Sequence, residues 1–288
     1  MLSFVDLATR PEFAVMAATC RNDHTNWSAM ETHRHVQVVL VRQGRFRRRV
    51  RGIDMDVDPT VGYIGMPGEE EQFAHPAGGD VCTSISLTPA LWRTLAGDTP
   101  WLTKSTVYVD ARLDLAHRRL LATTRAPDVD YAGAEQLTGL VRHIVDQVIA
   151  APTSAGASAS PGDRALVAAA RDLIRDAHPA ATGLLPLAVH LDVSPYRLSR
   201  AFTRELGVSL TRYRNRVRVT HALDRLEAGE IRLGALAADL GFADQAHLTR
   251  TVRDHLGHTP TALRRLLAGA CLTHTQEQQQ AVAWASPP

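Results

Sequence analysis

An internal repeat in the C-terminal third limits the folds that this 288-residue chain can adopt. When that region is aligned with itself at an offset of 50 residues, seven of 27 positions are identical. The identical pairs are Ala188 with Ala238, Leu198 with Leu248, Arg200 with Arg250, Leu206 with Leu256, Gly207 with Gly257, Thr211 with Thr261 and Arg214 with Arg264. Identity at one fixed spacing indicates a duplicated structural unit. We therefore expect two copies of one small fold in this region.

Each copy has the pattern of a short helix, a tight turn and a second helix. In the first copy, Ser194 before Pro195 predicts the start of the second helix, and Gly207 predicts its end. Asp244 and Gly257 take the same places in the second copy. Two helices joined by a turn of about three to four residues are typical of a helix-turn-helix motif, whose second helix enters the major groove of DNA.

The second helix of each copy is predicted to have one apolar face and one hydrogen-bonding face. The hydrogen-bonding faces consist of Tyr196, Arg197, Ser199, Arg200 and Thr203 in the first copy, and of Gln245, His247, Thr249, Arg250 and Arg253 in the second. Such side chains bind phosphates and base edges, and we predict that they contact DNA. Arg200 and Arg250 are the candidates for paired hydrogen bonds to guanine. The alternative is that these residues form a solvated helix face without contact to DNA. The presence of two such copies disfavours it.

One long helix, Leu210 to Ala228, is predicted between the copies. Its inward residues are expected to be Val217, Ala222, Leu223 and Leu226, and its outward residues Arg212, Arg214, Arg216, Arg218 and Arg225. About nineteen residues at roughly 1.5 Å each give a length of about 28 Å. Successive turns of the major groove lie about 34 Å apart, so one chain is expected to read two adjacent half-sites.

The distribution of charge also points to the C-terminal region. Residues 164–268 hold 16 cationic and 10 acidic side chains, whereas residues 1–163 hold 16 and 19. Of the 32 cationic residues, 31 are arginine, whose guanidinium suits phosphate and guanine edges. A basic C-terminal domain is the pattern expected of a nucleic-acid-binding protein.

A segment made only of Ala, Pro, Ser, Thr and Gly, residues 151–162, separates two regions of different periodicity. It is typical of a flexible linker. We predict four parts: a domain over residues 1–150, a linker over 151–163, a DNA-binding domain over 164–268 and a disordered tail over 269–288.

The first domain is predicted to be a small β-barrel or sandwich followed by helices. Strands are expected at His35 to Val41 and at Arg45 to Arg51, because β-branched residues and two-residue alternation dominate there. The strand face that bears Arg45, Arg47, Arg49 and Arg51 is expected to bind an anionic effector or DNA, or to be a charged, exposed face. Leu137, Leu140, Val141, Ile144, Val145 and Val148 form an apolar helical stripe. That stripe is expected to pack on the barrel or on a second copy of the chain.

The region from Arg164 to Leu267 resembles the DNA-binding domain of the AraC/XylS family of bacterial transcriptional regulators. The stretches that carry the resemblance are LAVHLDVSPYRLSRAFTRELG, YRNRVRVTHALDRL and LAADLGFADQAHLTRTVRDHLGHTPTALR. In the last and most specific stretch, the residues in the family's order and spacing are Gly241-Phe242, Asp244-Gln245, Arg250, Gly257, Thr259-Pro260 and Arg264. The departures are Leu248, Val252 and Leu263, which stand where the family commonly has aromatic residues.

The resemblance implies two helix-turn-helix units joined by a long helix. It also implies base contacts from Tyr196, Ser199 and Arg200 in the first unit and from Gln245, His247, Thr249 and Arg250 in the second.

The first domain resembles, less closely, the cupin-like sensing domain that this family often carries. The residues that carry this resemblance are His33-Arg34-His35, Gly44 and Met66-Pro67-Gly68. We predict an effector pocket that includes His33, His35, Gln37 and Glu71. A two-His-one-carboxylate metal set made of His33, His35 and Glu71 is an alternative, as is a hydrogen-bonded histidine pair. Because Val39 and Leu40 occupy the region of the usual cupin glutamate ligand, we predict no metal and no cofactor.

The predicted protein is therefore a sequence-specific transcriptional regulator, either an activator or a repressor and not an enzyme, that senses a small-molecule effector through a cupin-like barrel. Its expected partners are double-stranded promoter DNA, the effector, RNA polymerase and a second copy of the chain. Cys20, Cys82 and Cys271 are interpreted as free thiols. The chain shows neither a membrane span nor a signal peptide, so we expect it in the cytoplasm. The alternatives are a metal-dependent cupin enzyme fused to a DNA-binding domain, and a structural DNA-binding protein without an effector.

Overall fold

The structure is a computed structural model that describes residues 2–21, 25–97, 105–124, 129–149 and 160–267. The chain divides into two compact units, residues 1–157 and 158–288. The first unit holds the strands and the second is helical, which confirms the predicted fold class. The predicted tail, 269–288, lies outside the described residues, as does most of the predicted linker.

The strands of the first unit are β1 (Leu2–Thr9), β2 (Phe13–Cys20), β3 (Glu31–Thr32), β4 (Val36–Gln43), β5 (Phe46–Val50), β6 (Ile53–Val57), β7 (Val61–Gly65), β8 (Glu70–Ala74), β9 (Asp80–Leu87) and β10 (Thr106–Tyr108). They form a six-stranded sheet in the order β1-β2-β9-β4-β7-β10 and a four-stranded sheet in the order β3-β8-β5-β6. The pairings are antiparallel, so alternate side chains of each strand face opposite sides of its sheet.

Three helices cover one side of the six-stranded sheet. They are α1 (Pro89–Ala96), α2 (Ala111–Thr123) and α3 (Val129–Ile149). The predicted apolar stripe on α3 is buried in one core with Val38 and Ile85 of the sheet and Leu113 of α2. The stripe therefore packs within its own unit rather than on a second copy of the chain. Burial of each large apolar side chain stabilises this layer by about 1.5–3 kcal/mol.

The other side of the six-stranded sheet faces the four-stranded sheet. A second apolar cluster lies there and includes Val39, Phe46, Val57 and Tyr63. Because Phe46 and Arg48 are alternate residues of β5, the Arg48 side chain points into the same interior and is fully buried.

The helices of the second unit are α4 (Pro161–Arg175), α5 (Leu184–His190), α6 (Pro195–Leu206), α7 (Leu210–Glu227), α8 (Leu233–Asp239), α9 (Gln245–Leu256) and α10 (Pro260–Leu267), with a 3-10 helix at Pro179–Thr182. The pairs α5–α6 and α8–α9 are the two predicted helix-turn-helix units, and α7 connects them. Within the described residues, no helix is long and apolar enough to cross a membrane. The last three residues of the predicted linker are helical, because Ser160 caps α4 and Pro161 starts it.

The predicted ends of the second helix are confirmed in both helix-turn-helix units. Ser194 Oγ accepts a hydrogen bond from the Arg197 backbone N–H at 3.2 Å, and Asp244 Oδ1 accepts one from the His247 N–H at 2.6 Å. Gly207 and Gly257 both end their helices with a φ of 75°, a left-handed conformation that glycine adopts without strain. Each N-cap contributes about 1 kcal/mol.

The prediction for one face of α7 is wrong at Arg216, whose side chain is buried rather than outward. Arg214, Arg218 and Arg225, also predicted to point outward, are half-buried, and Arg212 is exposed. Helix α7 packs against α4, α6, α9 and α10. These neighbours therefore bury more of its surface than the single apolar face predicted from the sequence.

Candidate nucleic-acid interface

The first reading helix, α6, presents the predicted polar face to solvent. Tyr196, Arg197, Arg200 and Thr203 are exposed and Ser199 is half-buried. The opposite face, which includes Leu198, Ala201, Phe202 and Leu206, is buried. Phe202 contacts Tyr213 of α7 edge to face, with ring centroids 5.1 Å apart. This packing fixes which side of α6 remains available to a partner.

Tyr196 positions Arg200 on that exposed face. Arg200 Nη1 donates a hydrogen bond to Tyr196 Oη at 2.9 Å, and the guanidinium lies 5.4 Å from the centre of the tyrosine ring. The two residues are four apart and therefore neighbours on one side of the helix. No carboxylate among the described residues pairs with Arg200, so its remaining donors are free to bind an acceptor outside the chain.

Arg197 has a different environment, because it faces the first turn of α4. Its Nη2 lies 3.5 Å from Asp163 Oδ1, and Arg204 Nη1 lies 3.3 Å from Asp163 Oδ2. Arg204 is not among the predicted contact residues, although its spacing of seven from Arg197 places both on one side of α6. Ion pairs this exposed are worth at most about 1 kcal/mol, so a phosphate can compete for both guanidinium groups.

The second reading helix, α9, has the same two-sided arrangement. Gln245, Arg250 and Arg253 are exposed, and His247 and Thr249 are half-buried. The buried residues are Leu248, Thr251, Val252 and Leu256. Leu248 and Val252, the departures from the family's aromatic residues, are therefore core residues and leave the exposed face unaltered.

His247 also stabilises the turn before α9. Its Nδ1 accepts a hydrogen bond from the Ala243 N–H at 3.3 Å, and its ring meets the Phe242 ring edge to face at 5.3 Å. With Nδ1 as the acceptor, the neutral ring carries its proton on Nε2 and can donate to a base or phosphate. One ring nitrogen of His247, a predicted DNA-contact residue, is therefore engaged within the protein.

Sequence reasoning missed the role of Arg218 in the same turn. Its Nε donates to the Leu240 carbonyl oxygen at 2.8 Å, and its guanidinium lies 4.4 Å from the centre of the Phe242 ring. Burial and the neighbouring Arg214 lower the pKa of Arg218. Gly241 has a φ of 70°, and a Cβ there would lie 2.8 Å from Arg218 Nη2. The Arg218 side chain of α7 thus packs against the Gly241-Phe242 pair.

The loop between α7 and α8 is held by a carboxylate. Glu230 accepts backbone N–H bonds from Ile231 and Arg232, and it pairs with Arg225 at 2.8 Å. The backbone bond from Arg232 and the Arg225 guanidinium lower the pKa of Glu230 to about 2. The Glu230 carboxylate is therefore ionised at neutral pH, which is the form that accepts these hydrogen bonds.

The predicted effector residues are only partly brought together in the first unit. Strand β4 begins at Val36, and residues 34 and 35 form a bend before it, so the expected alternation does not extend to His33 and His35. His35 is exposed, whereas Gln37 bonds Ser84 at 2.8 Å and Ser86 at 3.2 Å between neighbouring strands. The predicted strand therefore begins one residue later than His35, because the bend interrupts the two-residue period.

Glu71 lies inside the barrel and pairs with Arg48, a residue that the prediction missed. Arg48 Nη2 is 2.6 Å from Glu71 Oε1, and the guanidinium lies 4.2 Å from the Tyr63 ring centre. Burial raises the pKa of Tyr63 well above its usual value. Among the described residues, Arg48 Nε and Glu71 Oε2 have no hydrogen-bond partner. A cation and a carboxylate with spare hydrogen-bonding atoms therefore share one buried region with Tyr63.

The arginine run on β5 has its charge neutralised on the outer face. Arg47 and Arg49 both pair with Asp54, at 2.9 Å and 2.5 Å, and both lie over the Trp27 ring. Arg51 pairs with Glu69 at 3.1 Å. This arrangement favours the interpretation as a charged, exposed strand face over that of an anion or DNA site.

Comparison with known proteins identifies the helical unit. Residues 187–266 match the family described as a helix-turn-helix domain. The arabinose operon regulatory proteins of Salmonella typhimurium and Escherichia coli are 28% identical over 93 residues and 30% identical over 78 residues. These matches cover 32% and 27% of this chain and the same shares of the two relatives. The resemblance predicted for the C-terminal region is thereby confirmed, over about a third of each relative's length.

Two solved structures are also similar. ToxT from Vibrio cholerae O395 is 11% identical, with a TM-score of 0.37, over 90% of this chain and 100% of its own. The C-terminal domain of AraT, a response regulator from Geobacillus stearothermophilus, is 28% identical, with a TM-score of 0.33, over 38% of this chain and 88% of its own.

Proposed function

We propose that this chain is a transcriptional regulator of the AraC/XylS type that binds promoter DNA through α6 and α9. The observation that carries the proposal is the pair of exposed arginine faces on the second helices of two duplicated helix-turn-helix units. Family matching over residues 187–266 supports it. The regulatory proteins to which this region is similar also support it.

In the proposed complex the two reading helices enter successive major grooves on one face of the duplex. Helix α7, with 18 residues, is about 27 Å long, which suits two grooves about 34 Å apart once the flanking turns are added. Arg200 and Arg250 read guanine edges, and each such paired contact discriminates by about 1–3 kcal/mol. Tyr196, Ser199, Gln245 and Thr249 flank them on the same faces, and Thr203 and Arg253 lie one turn further along.

The first unit is proposed to sense a small organic effector in its interior. The buried Arg48–Glu71 pair, with Gln37 on the facing sheet, supports a polar pocket whose spare atoms bind the effector's polar groups. Regulation then requires that the effector bind two states of the protein with different affinity. We propose that the chain acts in the cytoplasm as an activator, with a second copy and RNA polymerase as partners.

The metal-dependent cupin enzyme is the less favoured candidate. Its proposed ligands were His33, His35 and Glu71, but Glu71 is engaged by Arg48 and the bend before β4 separates the histidines from the strand pattern. We therefore propose a regulator without catalytic activity.

The test is to pass sheared genomic DNA over the immobilised full chain and to sequence the retained fragments. We expect a shared motif with two half-sites about 10 base pairs apart. The matched variants are Arg200→Ala and Arg47→Ala, one arginine from each unit. Loss of one half-site of the motif with Arg200→Ala and retention of both half-sites with Arg47→Ala supports the proposal, and fragments of the natural chain without a common sequence would contradict it.

A further inference from the structure

Three side chains of different chemistry meet at one end of the barrel. Cys20 ends β2, His75 directly follows β8, and Asp80 starts β9. Strand register explains the meeting in part, because Cys20 lies directly opposite Asp80 in the antiparallel pairing of β2 with β9. The potential ligand atoms of the three residues all lie within 4.8 Å of one another.

The cluster is largely removed from water. Cys20 is 4% exposed and Asp80 5%, and the His75 side chain is 13% exposed. His75 packs against Phe46, with ring centroids 5.7 Å apart, which limits its movement. The imidazole is thus the member of the cluster most exposed to solvent.

The contact between His75 and Asp80 differs from an ordinary hydrogen bond. His75 Nε2 lies 3.0 Å from Asp80 Oδ1, yet Oδ1 is a buried atom that accepts no hydrogen bond within the described part of the chain. A buried carboxylate oxygen without a hydrogen bond is costly. A cation held between the imidazole, the carboxylate and the Cys20 sulfur removes that cost.

Close backbone packing holds two of the three residues in place. A Cβ on Gly79 would clash with the Cys20 carbonyl oxygen, and a Cβ on Gly44 would lie 2.9 Å from Asp80 Cα. The glycines at these positions therefore allow the chain to approach the backbones of Cys20 and Asp80. Ligands held by backbone packing need little rearrangement to bind an ion.

Cys82 is placed to orient the carboxylate. A hydrogen bond links the Cys82 thiol to Asp80. The thiol donates it to the carboxylate, as outer partners of metal-binding carboxylates do. Cys82 is opposite Ala18, not Cys20, in the register of β2 and β9, so the two cysteines are diagonal neighbours about 7–8 Å apart. That spacing disfavours a disulfide between them.

We propose that Cys20, His75 and Asp80 bind one zinc ion inside the barrel. A thiolate, an imidazole and a carboxylate together suit Zn²⁺, whereas Mg²⁺ and Ca²⁺ prefer oxygen ligands alone. Three protein ligands leave a fourth position open for water or a donor atom of another molecule. The site differs from the His33, His35 and Glu71 set, and it does not depend on the proposed DNA-binding function.

The experiment uses the full chain, stripped with a chelator and titrated with Co²⁺ as a coloured substitute for Zn²⁺. We expect one Co²⁺ per chain, a near-ultraviolet sulfur-to-cobalt absorption band, and displacement of the cobalt by one equivalent of Zn²⁺. The band is lost in Cys20→Ser and retained in the matched control Cys271→Ser. Absence of the band from the natural chain, or its persistence in Cys20→Ser, would overturn the proposal.

A second variant keeps the test decisive if Cys20→Ser fails to fold. His75→Gln retains the sulfur ligand and removes the most exposed member of the cluster. We expect the sulfur band to remain and the affinity for Zn²⁺ to fall at least 10-fold. Removal of a residue that only hydrogen-bonds to a metal ligand already lowers metal affinity by about 10-fold to 100-fold. Unchanged affinity in His75→Gln would overturn the assignment of the histidine and with it the site.

Discussion

The arginines of strand β5 and two arginines of the reading helices have opposite environments. In the barrel, Arg47 and Arg49 pair with Asp54, and Arg48 is buried against Glu71. On the reading helices, Arg200 and Arg250 are exposed, and neither pairs with a carboxylate among the described residues. Arginine is thus neutralised by carboxylates of neighbouring strands on β5, whereas Arg200 and Arg250 remain available to a polyanion.

The environment of an arginine, and not its presence alone, therefore decides what it does. Antiparallel register places the aspartates of β6 across from the arginines of β5, for example Asp54 opposite Arg49. On α6 and α9 the inward residues are apolar, and few acidic residues lie on the outward faces. Substitutions in the two units should therefore separate a loss of stability from a loss of DNA binding.

The largest effect is expected from breaking the buried pair in the barrel. Arg48→Met leaves the Glu71 carboxylate buried without its cation, which should lower the free energy of unfolding by about 3–5 kcal/mol. Urea unfolding of the full chain measures the change in the transition of the first unit. The matched control, Arg47→Met on the outer face of the same strand, should cost less than about 1 kcal/mol. Equal losses in the two variants would contradict the distinction between the inner and outer arginines.

The next effect concerns DNA. Arg200→Ala and Arg250→Ala should each lower the affinity for the preferred sequence by about 1–3 kcal/mol and should relax the preference in one half-site only. Gel-shift titrations against sequences altered in one half-site measure both quantities, with Arg47→Ala as the control. If either variant lost affinity equally for every sequence, that arginine would be a phosphate contact.

A smaller effect distinguishes the units by pH. Burial holds the pKa of His117 at about 3 in the folded barrel, while the unfolded chain has the usual value of about 6.5. The unfolded state alone therefore takes up a proton as the pH falls below 6.5, and the stability of the first unit decreases. Between pH 7 and 5.5 the loss should be about 1 kcal/mol.

His117→Gln is the matched variant for this pH dependence, because it keeps a hydrogen-bonding group near Thr83, 2.8 Å from the imidazole. Urea unfolding at both pH values should show a flatter dependence in the variant. A dependence as steep as that of the natural chain would assign the effect to another group.

The smallest effect concerns the arginines held by Asp163. Asp163→Asn releases Arg197 and Arg204, and both guanidinium groups then bind phosphates more readily. We expect at most about 1 kcal/mol tighter binding to unrelated DNA and a dependence of affinity on salt steeper by up to about two ion equivalents. The slope of log affinity against log salt concentration measures this, and an unchanged slope would show that the two arginines never reach the DNA.

Local features of the second unit were predictable because local chemistry determines them. Ser194 and Asp244 cap helices through their own side chains, and Gly207 and Gly257 end helices through their own backbone freedom. The exposed faces of α6 and α9 follow directly from those helix limits. The prediction fails at Arg216, which is buried on a helix that contacts four others, because the period of α7 alone does not reveal those neighbours.

The interior of the first unit was less predictable because strand register is non-local. Alternation along β5 places Arg48 with Phe46, but only the pairing of β5 with β8 brings Glu71 to it. The bend before β4, which separates His35 from Gln37, has no strong marker in the sequence. The meeting of Cys20, His75 and Asp80 depends likewise on which strands are neighbours.

The arrangement of two reading helices on one chain can be tested by methylation protection of guanines on a retained genomic fragment. We expect protection in two major-groove segments about 10 base pairs apart on one face, with Arg200→Ala lifting protection in one segment and Arg250→Ala in the other. Protection confined to a single groove segment, or lifted in both segments by either substitution, would contradict this arrangement.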